Sequence, residues 1–149
     1  MKPNPLPSQI WVLVCDGAKA LMLHNEGDAL QPRLVTVAVF DEPQPPSRDL
    51  GTDRPGRTNS SNGVSRSATE ETDLHEQAEA DFLTRIAGAL DQVVREHEVK
   101  NLLLVAPPKA LGLLRAKLSL AVKGLVSGEV GKDLTGLPVD QIGKRLMAA

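Results

Sequence analysis

Aromatic residues are almost missing: the 149-residue chain has one tryptophan, two phenylalanines and no tyrosine. So few rings give little platform for stacking bases, which argues against a typical reader of single-stranded nucleic acid. Net charge is small as well, −2 at neutral pH. There is no global attraction to nucleic acid or to an anionic membrane, so anion binding has to come from a local patch. Cysteine occurs once, as Cys15 inside an apolar run. A single thiol excludes a disulfide framework within the chain and suits a reducing compartment. The N-terminal "MKPNPLPSQ" has no apolar core of a secretory signal. No apolar run approaches the roughly 20 residues that span a bilayer. Together these absences give the expectation of a soluble, cytoplasmic protein with no membrane partner. Catalytic motifs are missing too: there is no GxSxG, Walker loop or GxGxxG. His24, His75 and His97 are dispersed, with no second ligand at zinc spacing. No metal, cofactor or catalytic residue is expected, and nothing points to DNA specificity.

What remains is well patterned. Residues 1–8 hold three prolines and read as an extended tail before a single domain over 9–149. "QIWVLVCDG" (Gln9–Gly17) is a continuous apolar run closed by Asp-Gly, the mark of a fully buried strand and a tight turn. "AKALMLHNEGDAL" gives a second strand through about His24 and a turn over Asn25 to Asp28. "LVTVAVFDE" alternates with β-branched residues and gives a third. From about 43 to 72 no period survives, which predicts a long flexible loop. Asp73 followed by Glu76 resembles a helix cap with its box partner. Leu74, Ala78, Phe82, Ile86, Leu90, Val93, Val94 and His97 then recur at helical spacing. "VKNLLLVAPP" is a strand stopped by two prolines. Leu111, Leu114, Leu118, Val122 and Leu125 mark one further helix, "SGEVGKDLTG" a short strand and loop, and "LPVDQIGKRLMAA" a terminal helix. The order β-β-β-loop-α-β-α-β-α predicts an α/β domain with a mixed sheet and helices on its faces.

Four blocks in order, "RDLGTDRPGRT", "TDLHEQAEADF", "LLLVAPPKALGLLR" and "GKDLTGLPVDQI", resemble the bacterial host-attachment protein family, described as required for attachment to host cells. The resemblance runs from Trp11 to Leu146. Gly131 and Gly136 stand where members of that family commonly carry an acid and a histidine, which counts against an acid–base pair there. The order of elements is more distantly similar to the middle domain of archaeal and eukaryotic class-1 peptide-chain release factors, which implies an RNase H-like fold. That domain carries a Gly-Gly-Gln loop between its third strand and its long helix. The stretch Arg48–Ala68 occupies the same topological place, but its nearest text is "SSNGVS". The likeness implies the scaffold and the loop position, and not peptide release.

The loop is the first candidate site. Arg48, Arg54, Arg57 and Arg66 outnumber Asp49 and Asp53, and Gly51, Gly56 and Gly63 allow close backbone approach. Arginine forks suit phosphate. The predicted ligand-binding residues are Arg48, Asp53, Arg54, Gly56, Arg57 and Arg66, and the expected partner is RNA or the ribosome. The competing reading is a solvated loop with no ligand. A second polar cluster is expected from Asp16, Lys109, Arg115, Lys132, Asp133 and Thr135. The candidates for a metal-dependent hydrolase are Asp16, Asp133 and, more weakly, Glu129; the plainer reading of Asp16 is a hydrogen bond across the Asp-Gly turn. "KDLT" (Lys132–Thr135) either holds an anion at a helix start or caps that helix. Three functions follow: a non-enzymatic binding module acting on attachment indirectly, a metal-dependent hydrolase of nucleic acid or nucleotide, and a direct adhesion factor.

Overall fold

Asp16-Gly17 and the Asn25–Asp28 turn divide the apolar N-terminal third into three strands: β1 (Trp11–Cys15), β2 (Lys19–Asn25) and β3 (Leu34–Asp41). The remaining elements are α1 (Ala68–His97), β4 (Leu102–Val105), α2 (Pro108–Lys117), α3 (Leu120–Lys123), β5 (Val126–Val130) and α4 (Val139–Ala148). The computed structural model describes residues 6–41 and 68–148, with side chains from residue 74 onward in α1. Arg48, Asp53, Arg54, Gly56, Arg57 and Arg66 lie outside the described residues, as does the predicted loop up to residue 67. Its last positions, 68–72, belong to α1.

The five strands form one sheet in the order β3-β2-β1-β4-β5. β1 pairs antiparallel with β2, and β2 with β3; β1–β4 and β4–β5 are parallel. The fold is α/β with a mixed sheet, as the order of elements requires. β1 is central and every one of its residues is buried. A strand covered on both faces has no use for polar alternation, which is why "WVLVC" reads as an unbroken apolar run.

The two faces have separate cores. Leu13, Cys15, Met22 and Leu104 point to one face, where Phe82, Leu83, Ile86 and Leu90 of α1 and Leu111 and Leu114 of α2 cover them. Val12, Val14, Leu21 and Leu23 point to the other, under Ile142 and Leu146 of α4, Leu134, and Leu6 and Ile10. The last part of the N-terminal tail therefore lies against the domain. The buried Asn25 amide fixes it by donating to the Leu6 and Pro7 carbonyls, each at 3.1 Å. None of the described helices is long and apolar enough to cross a membrane.

Two expected helix boundaries are corrected. α1 begins at Ala68, so Asp73 and Glu76 lie inside it and are not its cap box, and Leu74 is 57 % exposed. The single helix expected from Leu111 to Leu125 is broken: Leu118 (ψ 145°) and Ser119 (ψ 161°) are extended, and α3 restarts after them. Ser119 makes the restart, accepting the Val122 N–H at 3.2 Å while its hydroxyl donates to Asp91 of α1 at 2.6 Å.

Candidate functional site

In an open α/β sheet the carboxyl ends of parallel strands are where ligands gather. β1, β4 and β5 run parallel, so the residues following them share one edge: Asp16-Gly17 after β1, Ala106-Pro107 after β4, Gly131 after β5. The β1–β2 turn brings Lys19 to the same edge, and the pairing of Lys19 with Asp41 brings the end of β3 there as well.

Asp16 is the hub of that edge. Its Oδ1 accepts the backbone N–H groups of Ala18 and Lys19, each at 2.7 Å. Its Oδ2 accepts the Thr135 hydroxyl at 3.0 Å, a bond between residues 119 positions apart. The same hydroxyl lies 2.8 Å from Asp133 Oδ1, which also accepts the Thr135 N–H at 3.1 Å. A hydroxyl has one proton to give. At any moment it donates to one of the two carboxylates, and both lie within reach of it. The trio thus ties the β1–β2 turn to the loop between β5 and α4, and Thr135 is buried in making the tie. Asp16 does make the turn hydrogen bonds expected of Asp-Gly. The KDLT stretch supplies Asp133 as the local cap of its own loop.

Cys15 sits directly behind this trio. Burial, with the negative charge of Asp16 and then Asp133 adding to it, pushes its thiol from 9.0 up to about 12. The thiolate is the nucleophilic form, so this cysteine is chemically quiet near neutrality.

The other members of the predicted cluster go elsewhere. Lys109, in the first turn of α2, pairs with Glu76 at 3.2 Å and reaches Glu79 at 3.9 Å, both on α1. Glu79 lies over the β1–β2 turn so closely that a Cβ on Gly17 would come within 2.6 Å of its carboxylate. A side chain at Gly17 would make the Glu79 side chain move aside; no backbone angle calls for glycine there. Arg115, near the other end of α2, binds Glu129 of β5 through two nitrogens, with Nε at 3.0 Å and Nη2 at 2.5 Å. That contact holds the Glu129 carboxyl below its usual range and the guanidinium above its own. Lys132 is exposed. The edge therefore gathers Asp16, Asp133, Thr135 and, through α1, Lys109; it does not gather Arg115.

Glu76 and Glu79 were not visible as site residues in the sequence, because both look like the solvated face of an amphipathic helix. Among the described residues no group of three or more His, Cys, Asp or Glu side chains is placed to hold a metal. Concave surface exists elsewhere. A groove of about 390 Å³ runs between the β2–β3 loop and α4, lined by Leu30, Arg33, Leu34, Val139, Gly143 and Met147 among others. A smaller one of about 320 Å³ lies beside Arg115, Lys123 and Glu129 over Leu104, Leu118 and Val126.

No curated protein matches the chain. A solved archaeal translation termination factor is similar over 86 % of this chain at 14 % identity, with a TM-score of 0.49. The chain spans 32 % of that protein's length. The family model described as "Protein required for attachment to host cells" matches residues 11–146, nearly the whole length, and the chain belongs to that host-attachment family.

Proposed function

We propose that this host-attachment family protein is a non-enzymatic cytoplasmic binding module. Its Arg/Gly-rich segment contacts the phosphate backbone of RNA, with the ribosome as the first place to look. Its part in attachment is then indirect, through the expression of surface factors. One observation supports this reading above others. The segment carrying Arg48, Arg54, Arg57 and Arg66 leaves the sheet at Asp41, which pairs with Lys19 beside the Asp16 turn. It re-enters through α1, whose Glu79 lies over Gly17 of that same turn. The point of departure at Asp41 is on the edge that also presents Lys109 and Lys132. Arginine forks and lysines suit phosphate oxygens, and the scarcity of aromatics favours backbone contact over base stacking. The lone free cysteine suits a reducing compartment.

The test is binding of the purified protein to ribosomes and to total RNA across a salt series. Replacing both Arg54 and Arg57 by alanine should weaken binding and flatten the log–log salt slope, by up to about one unit per lost duplex phosphate contact. Asp16→Asn should change it little. Wild-type protein with no affinity for RNA or ribosomes at low salt overturns the proposal. Metal-dependent turnover abolished by Asp16→Asn would replace it with a hydrolase.

A further inference from the structure

We draw no further inference here: the strongest candidate, the groove of about 390 Å³ between the β2–β3 loop and α4, sets Arg33, Asp140 and Lys144 around an apolar lining, and nothing in the structure shows what covers it.

Discussion

Asp16, at the carboxyl end of the central strand, is held by three hydrogen bonds within its own chain. Both its oxygens are taken by donors from its own chain, two backbone amides and the Thr135 hydroxyl. Cys15 beside it is the more sensitive reporter of the same spot. Its thiol stands at about 12 in the folded protein against an ordinary 9.0, because burial and the two neighbouring carboxylates oppose the thiolate. A raised acid favours folding fully while the unfolded thiol is still protonated. The contribution is lost once the unfolded chain ionises and the folded one does not. Stability should therefore fall between about pH 9 and pH 12, at up to about 1.4 kcal/mol per pH unit from this group. Urea melts of wild type and Cys15→Ala through this alkaline range provide the check. The difference between the two should shrink steadily in the alanine variant's favour, and parallel curves would show the thiol to be solvated.

At the scale of elements, the end of α1 carries a local conflict. Glu98 follows the helix with φ 53°, the left-handed region, and the Val99 N–H returns to the Val94 carbonyl at 3.1 Å. This is the helix-ending loop in which glycine is the usual left-handed residue. A glutamate there bears a Cβ penalty of roughly 1–2 kcal/mol. Glu98→Gly removes it and loosens the unfolded chain in exchange, so the variant should be more stable by about 0.5–1 kcal/mol in a thermal or denaturant melt. A destabilised variant would mean that the glutamate side chain supports the turn. Nothing in the sequence marks this position, because the left-handed cap usually announces itself as Gly or Asn. The strands and the buried face of α1 were legible, since Phe82, Ile86 and Leu90 obey a local period. The break between α2 and α3 was not, because Leu111, Leu114, Leu118 and Val122 keep helical spacing straight through it. Ser119 was the available signal, a capping residue inside an apolar run. The site was legible only as a set of strand ends. Asp16 and Thr135 are joined across 119 positions, and sequence spacing cannot express such a bond. Lys109 is expected in the polar cluster, and only the packing of α1 on α2 gives it Glu76 and Glu79.

For the whole molecule, the topology orders the layers by how many neighbours must be removed to free a strand. β1 is paired on both sides and covered on both faces; β4 lies between β1 and β5 and is almost as enclosed. β3 has one ladder to break, and its outer half is exposed at Val37 and Val39. α4 is held to its face chiefly by Ile142 and Leu146, over a smaller core than the one under α1 and α2. Local opening follows the least buried apolar surface and the fewest backbone bonds. Amide exchange on dilute protein should therefore be slowest in Val12–Val14 and Leu103–Leu104, approaching the rate of global unfolding. β3 and α4 should exchange through smaller openings, with weaker dependence on denaturant. The two faces then differ in consequence: loss of α4 uncovers Val12, Val14 and Leu23 but leaves α1 packed on Leu13, Met22 and Leu104. Ile142→Ala should accordingly hasten exchange in α4 and around Leu134 more than in α1. Equal acceleration throughout the chain would show that the two cores open as one unit and that the sheet does not insulate them.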